Sequence, residues 1–153
     1  MTSVRIAACV VILASCGRSP VKPISTGWTP LHDAADAGDV AQVKVLLGRD
    51  PLLVNADDGN GHLPLHIAAD RGQREVAELL LDRGATLQAP DNCGWTPLHT
   101  VAYAGRKSIA ELLIARGAEV NALDRQRQTP LRLAMKWGHP DIAQLLRAHG
   151  GHE

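Results

Sequence analysis

The sequence predicts an all-α repeat solenoid in which four helix-turn-helix units stack along one axis. The main observation is a five-residue segment that recurs: WTPLH at 28–32, HLPLH at 62–66, WTPLH at 95–99 and QTPLR at 128–132. The prolines of these segments lie 34, 33 and 33 residues apart. Self-similarity at this period is typical of repeat proteins, which usually act by presenting a surface rather than by enclosing a catalytic pocket.

Each segment begins a short first helix with a recognisable start and end. Thr29, Thr96 and Thr129 can accept hydrogen bonds from the first N–H groups of a helix, and each precedes a proline, which suits the first helical position. A glycine at 38, 72, 105 and 138 ends each helix, because glycine readily adopts the left-handed conformation that follows many helices. We therefore predict first helices over 31–37, 65–71, 98–104 and 131–137.

A second helix follows in every unit and carries one apolar stripe. In the second unit this stripe contains Val76, Leu79 and Leu80, and the other units have a similar stripe. Helices this short are not stable alone, so the stripes must be buried against neighbouring units. Turn-forming residues separate the units, with an aspartate at the base of each turn: Asp58, Asp91 and Asp124.

Together these residues resemble the ankyrin repeats. The matching features are TPLH followed by two alanines, the helix-ending glycine, the V-x-x-L-L second helix and a trailing G-A-x-x-N-A. The resemblance covers about residues 24–150 and implies helix-turn-helix units with β-turn fingers at right angles to them. The predicted units are 24–57, 58–90, 91–123 and 124–150.

Three of the four units depart from the pattern, and these departures carry expectations of their own. Residues 50–55 make the first unit one residue longer, and Leu63 replaces the capping threonine of the second unit, a local loss of about 1 kcal/mol. In the fourth unit Arg127 replaces the finger glycine and Arg132 replaces the histidine. A more polar last unit is what a terminal cap requires, so we predict that the fourth unit is a capping unit.

Residues 1–15 are expected to form a lipoprotein signal peptide. Arg5 supplies a positive charge, and residues 6–14 form an apolar run that is shorter than the roughly 20 residues needed to span a bilayer. The segment LASC at 13–16 resembles the bacterial lipobox, which implies cleavage before Cys16, lipid attachment to its thiol and a tether over 16–23. Gly17, rather than an aspartate, follows this cysteine, and the resemblance to Gram-negative lipoproteins then implies the periplasmic side of the outer membrane. An ordinary secreted protein, or a cytosolic protein whose first residues are not a working signal, stays possible.

The composition favours a binding protein without chemistry of its own. Sixteen basic and sixteen acidic residues balance, so nothing favours binding to nucleic acid. His32, His66 and His99 recur at one position, but neighbouring helices about 8–10 Å apart cannot bring three imidazoles onto one zinc ion. We expect each imidazole to bond to its own loop and to its neighbour. We predict no enzymatic activity, no metal site and no cofactor, because no nucleophile or oxyanion site accompanies the acidic residues.

Cys93 is the one cysteine outside the predicted signal peptide and lipobox. It lies at a finger tip, where we expect it to be exposed. A lone thiol in an oxidising compartment can have a redox or intermolecular role. A tolerated turn residue is the alternative, and replacement by serine would abolish function only under the redox hypothesis.

The resemblance implies that a protein partner contacts the finger tips and the exposed side of the first helices. The first of these finger tips contains Ser25 and Thr26. Tyr103 and Trp137 are the strongest candidates because Trp, Tyr and Arg dominate interface energetics. Trp28 and Trp95 could instead cover the neighbouring repeat. The predicted partner-binding residues are Trp95, Tyr103, Trp137, Arg71, Asp70, Asn60, His62, Asn92, Arg125 and Lys136.

The predicted function follows from the fold and the N-terminus together. We expect a monomeric, lipid-anchored module of the bacterial envelope that binds a protein partner, as an inhibitor or immunity protein or as an accessory factor. A scaffold for several envelope partners, or a cytosolic ankyrin interaction protein, is the alternative.

Overall fold

A computed structural model describes residues 27–153. The predicted signal peptide, Cys16, the tether, Ser25 and Thr26 lie outside the described residues. Residues 27–153 contain eight α-helices and no strand. The helices are α1 (Pro30–Ala37), α2 (Val40–Arg49), α3 (Pro64–Arg71), α4 (Arg74–Asp82), α5 (Pro97–Ala104), α6 (Lys107–Ala115), α7 (Pro130–Lys136) and α8 (Pro140–Ala148).

The helices form two layers that run along the stack of units. Each first helix packs on the next first helix, in the order α1, α3, α5 and α7, and the second helices α2, α4, α6 and α8 do the same. The two helices of each unit also pack against each other. This arrangement confirms the predicted all-α repeat solenoid.

The first helices begin and end as the sequence predicts. Each starts at its proline, and threonine is the N-cap in the first, third and fourth units. The four helix-ending glycines have φ between +73° and +81°. Helix α7 differs slightly from the prediction: it ends at Lys136, and Trp137 is its C-cap.

A row of buried histidines joins each unit to the next, as predicted. The N–H of Thr29 donates to His32 Nδ1 at 3.1 Å, so the proton of this imidazole is on Nε2, which donates to the carbonyl oxygen of His62 at 3.1 Å. His66 repeats both contacts, with the Leu63 N–H and the Trp95 carbonyl oxygen. His99 makes the same pair of contacts in the third unit. The imidazoles are therefore structural and do not converge on one point.

Leucine, isoleucine, valine and alanine make up most of the apolar interior, together with Cys93 and Trp95. Leu31, Leu65, Leu98 and Leu131 occupy one position in the four first helices, and each is at most 1% exposed. Removal of one such leucine should cost about 2–5 kcal/mol. The extra residue of the first unit is taken up by a short 3₁₀ helix, Pro51–Asn55.

The second and third fingers require glycine at one position, which Arg127 occupies in the fourth unit. At Gly61 and Gly94 an added Cβ would lie 2.8 Å from the backbone nitrogen of Asn92 and of Arg125, each in the following finger. No further finger follows Arg127 within the described residues, and this arginine takes the same left-handed conformation with φ +58°. The capping role of the fourth unit and the unit boundaries stay predictions.

Candidate protein-binding surface

Three aromatic side chains form a continuous cluster across the third and fourth units. The ring centroids of Trp95 and Tyr103 are 5.3 Å apart, and those of Tyr103 and Trp137 are 4.9 Å apart with nearly perpendicular ring planes. Tyr103 is at the end of α5, and Trp137 caps the equivalent end of α7. The stacking of successive first helices therefore brings these two rings together. We call Trp95, Tyr103 and Trp137 the aromatic cluster.

The three rings differ in how much surface they offer to a partner. Trp137 is 46% exposed, Tyr103 is half-buried and Trp95 is only 6% exposed. The Trp95 indole N–H donates to Asp124 Oδ2 at 3.1 Å, so this ring joins the third finger to the fourth. The prediction that Trp95 offers surface to a partner is wrong, because its own chain covers it. Its position beneath Tyr103 makes it a support for the exposed part of the cluster.

Trp28, the equivalent residue of the first unit, is 41% exposed. Its indole N–H donates to Asp33 Oδ1 at 2.7 Å, and its ring centroid lies 5.1 Å from that of His32. It therefore lies on its own unit, at the opposite end of the stack from Trp137. Because of this separation, substitution of Trp28 can serve as a control for substitutions in the aromatic cluster.

Arg71 and Asp70 lie at the end of α3, beside the aromatic cluster in the series of first helices. Arg71 Nε pairs with Asp36 Oδ1 across the first two units, and both side chains are about one-third exposed or less, at 27% and 33%. Asp70 is half-buried, and its carbonyl oxygen accepts a hydrogen bond from Arg106 Nε at 2.9 Å. Arg71 is thus already engaged in an inter-unit ion pair, which sequence reasoning did not anticipate.

The fingers are tied to one another through their backbones. The Asn92 N–H donates to the Asn60 carbonyl oxygen at 3.0 Å, and the Arg125 N–H donates to the Cys93 carbonyl oxygen at 3.0 Å. The side chains of Asn92 and Arg125 are exposed, whereas Asn60 is half-buried. Asn92 and Arg125 are therefore available to a partner on an otherwise fixed edge.

The aspartates at the finger bases are turn residues, as predicted. Asp91 Oδ1 accepts the N–H groups of Cys93 and Trp95 at 2.7 and 2.8 Å. Asp58 and Asp124 likewise each accept the backbone N–H groups of the residues two and four positions further along the chain. All three aspartates are at most 7% exposed.

His62 bridges two of these aspartates. Its Nδ1 lies 2.9 Å from Asp58 Oδ2, and its Nε2 lies 3.4 Å from Asp91 Oδ2 in the next finger. Burial disfavours the imidazolium, but the hydrogen bonds to the two carboxylates outweigh it and raise the pKa of His62 from 6.5 to about 10. The side chain is only 19% exposed. His62 was predicted to contact a partner, and the structure gives it an internal contact between the second and third fingers.

Cys93 is buried, and the prediction that it is exposed is wrong. It lies at the finger tip as expected, but only 2% of it is exposed, and it belongs to the apolar core. The fourth finger, hydrogen-bonded to the Cys93 carbonyl oxygen, lies alongside it. A buried thiol in apolar surroundings is usually inert, so the structure gives no support to a redox role.

Sequence reasoning missed a row of polar side chains that cap the ends of the first helices. Gln73 Nε2 donates to the Asp36 carbonyl oxygen at 3.3 Å, and His139 Nε2 lies 3.0 Å from the Tyr103 carbonyl oxygen. Arg106 has the same role at Asp70. Each capping residue directly follows a helix-ending glycine, and this regular position is the signal that could have identified them.

The arrangement of ionisable groups within residues 27–153 points to structure rather than to chemistry. Burial lowers the pKa of His66 to about 4, and burial also lowers the pKa of His99, so both imidazoles stay neutral between the units. Among the described residues, no group of three or more His, Cys, Asp or Glu side chains could hold a metal ion.

The fold and this surface define a repeat protein that offers an elongated face to other molecules. The family model described as ankyrin repeats, three copies, matches residues 4–91 and again residues 84–153. The chain therefore belongs to the ankyrin repeat family and is a protein–protein interaction module. Ankyrin repeats are generally non-catalytic. No curated protein matches the chain. In the part of the chain that the structure describes, no helix is long and apolar enough to cross a membrane.

Proposed function

We propose that this protein is a lipid-anchored module of the bacterial envelope, without enzymatic activity, which acts as a monomer. It binds a protein partner through the concave surface formed by its first helices and fingers. The partner is an envelope protein that the module inhibits, neutralises as an immunity protein would, or assists as an accessory factor.

The observation that carries the binding site is the aromatic cluster. Tyr103 and Trp137 are held in place by each other and by the buried Trp95, so little conformational entropy is lost when a partner covers them. Lys136 Nζ lies 5.9 Å from the Trp137 ring centroid, which adds a cation beside the exposed ring. Pre-ordered aromatic residues with a charged rim are the usual composition of an interface hot spot.

Substitution of single aromatic residues tests the binding site. The tagged, lipidated chain is first used to isolate its partner from solubilised envelope, and the partner is identified by mass spectrometry. We expect Tyr103→Ala and Trp137→Ala each to weaken binding by more than about 1 kcal/mol with unchanged helix content. Trp28→Ala is the matched control, because Trp28 is exposed to a similar extent at the other end of the stack. Equal losses for all three variants, or none for the first two, would contradict the proposed site.

The anchor rests on the sequence alone and needs a separate experiment. The family match begins at residue 4, inside the segment predicted as a signal peptide. Globomycin inhibits the peptidase that cleaves before a lipidated cysteine, so treated cells should accumulate a larger form of this chain. Cys16→Ser should abolish membrane association. A chain of unchanged size in the cytosolic fraction would favour the cytosolic alternative.

A further inference from the structure

We propose that the segment of the partner that docks on the fourth unit is acidic and inserts an apolar or aromatic side chain beside Trp137. This inference rests on the proposed function and specifies the chemistry of the partner at that site.

The first observation is an opposite balance of charge at the two ends of the stack. Residues 27–57 contain five acidic and two basic side chains, whereas residues 124–150 contain two acidic and five basic side chains. The overall balance of the chain conceals this difference. A partner that lies along the concave surface therefore meets a positive region at the fourth unit, although the protein as a whole is neutral.

The second observation is that the acidic end is internally satisfied. All five aspartates of the first unit accept hydrogen bonds from other groups of the chain: the Trp28 indole, Arg71 and the backbone N–H groups at helix and turn starts. The five are Asp33, Asp36, Asp39, Asp50 and Asp57.

The basic end differs. Within residues 27–153 the ion pairs of arginine involve Arg71, Arg74 and Arg116. The five exposed cations of the fourth unit take part in none of these ion pairs: Arg125, Arg127, Arg132, Lys136 and Arg147. Of these, Arg147 donates a hydrogen bond to the Met135 sulfur. Their charge is therefore available to an anionic partner.

The third observation is that charge and apolar surface meet on one side of α7. Arg132 and Lys136 are four residues apart, so their side chains leave the helix on the same side. Lys136 adjoins the Trp137 ring, and that ring is 46% exposed. Met135, in the same turn, is 44% exposed. A segment with a carboxylate on either side of one large apolar residue satisfies both features.

A second copy of this chain is a weaker candidate for the same surface. It would have to offer its acidic first unit, where Asp36 is paired with Arg71, Asp33 accepts a hydrogen bond from the Trp28 indole, and Asp39, Asp50 and Asp57 accept backbone N–H groups. These contacts hold the carboxylates against their own chain, whereas the carboxylates of a separate acidic segment are not held in this way.

The experiment uses the full chain and a random library of 12-residue peptides displayed on phage. Enriched peptides are synthesised with a fluorescent label, and their affinities are measured by anisotropy at about 50 and 500 mM NaCl. We expect enrichment of Asp and Glu around one apolar residue, and affinity that falls at least about fivefold at high salt because exposed charges are screened. Lys136→Glu should weaken binding at least about tenfold. Lys44→Glu, on an exposed position of α2, is the matched control and should change affinity less than about twofold.

The outcomes separate this inference from the proposed function. Peptides whose binding is lost with Trp137→Ala, but which are neutral or basic and insensitive to salt and to Lys136→Glu, would overturn the inference and keep the binding site. If no peptide depends on Trp137, both fail. Self-association that is lost with Lys136→Glu would make a second copy the occupant and overturn the acidic-segment inference.

Discussion

His62 allows the sharpest test of how the units are joined, through replacement by glutamine. The side chain lies between Asp58 and Asp91, which belong to different fingers, and it is charged at neutral pH because its pKa is about 10. Glutamine occupies the equivalent position in the fourth unit, at Gln128, so the repeat accommodates it. His62→Gln therefore removes the positive charge and its dependence on pH, while the glutamine side chain still suits this position of the repeat.

The expected loss of stability follows from the pKa of His62 and from the contacts of the two aspartates beside it. One pH unit of pKa difference corresponds to about 1.4 kcal/mol, so the rise from 6.5 to about 10 sets a ceiling of about 5 kcal/mol. Each aspartate keeps backbone hydrogen bonds after the substitution, which reduces the loss. We expect His62→Gln to lower the free energy of unfolding by about 3 kcal/mol at pH 6.5.

The sign of the pH dependence follows from the direction of each pKa. His62 has a folded pKa above its unfolded value, so its contribution is complete below pH 6.5 and is lost as the pH rises towards 10. Burial opposes ionisation of Asp58, but the hydrogen bond from His62 lowers its pKa to about 2, so that contribution is lost only as the pH falls from 3.8 to about 2. His66 has a lowered pKa, so its contribution is lost as the pH falls from 6.5 to about 4. Stability should therefore be greatest near pH 6.5.

Urea unfolding followed by circular dichroism at pH 6.5, 7.5, 8.5 and 9.5 measures this effect. The difference in free energy between the natural chain and His62→Gln should shrink with each step, by at most about 1.4 kcal/mol per unit. His139→Gln is a control that alters another histidine at an inter-unit contact. Parallel curves for the natural chain and His62→Gln over this range would refute a charged His62 between the fingers.

Three further predictions concern residues of the fingers. Arg127→Gly should raise the free energy of unfolding by about 1 kcal/mol, since a left-handed φ of +58° is unfavourable for arginine; Gly94→Ala, at the equivalent position, should instead destabilise by at least about 1 kcal/mol because its Cβ would lie 2.8 Å from the next finger. A higher urea midpoint for Gly94→Ala, or a lower one for Arg127→Gly, would contradict this account. Alkylation of Cys93, located by peptide mapping, should be slow in the folded chain and fast in urea because the residue is 2% exposed; equally fast labelling in both conditions would contradict its burial.

Local chemistry explains why the sequence predicted the helices so well. The threonine, proline and glycine positions fix where each first helix starts and ends, and these residues act within a single turn of the chain. The repeated His32, His66 and His99 could also be interpreted correctly, because the same residue at the same position in stacked units must meet the same neighbour. The recurrence of histidine at one position supplied information about contacts between units that the sequence of a single unit does not contain.

The candidate site was less predictable because exposure depends on the neighbouring unit. Trp95 and Cys93 belong to a turn whose sequence suggests exposure, yet the fourth finger covers both of them. The pairing of Arg71 with Asp36 and the bridge made by His62 join residues of different units. Such contacts depend on the offset between units, which the sequence of one unit does not contain.

The sequence by itself determined the repeat period, the helices and the family, because these depend on backbone preferences and on apolar spacing within about 33 residues. Only the tertiary structure decided which side chains of a finger stay at the surface and which become links between units. The physical reason is that each finger is covered by the next one, so the same turn position is buried at Cys93 and exposed at Gln126 in the fourth unit. The aromatic cluster is a product of that stacking: Tyr103 and Trp137 are far apart in sequence and meet because α5 and α7 lie side by side.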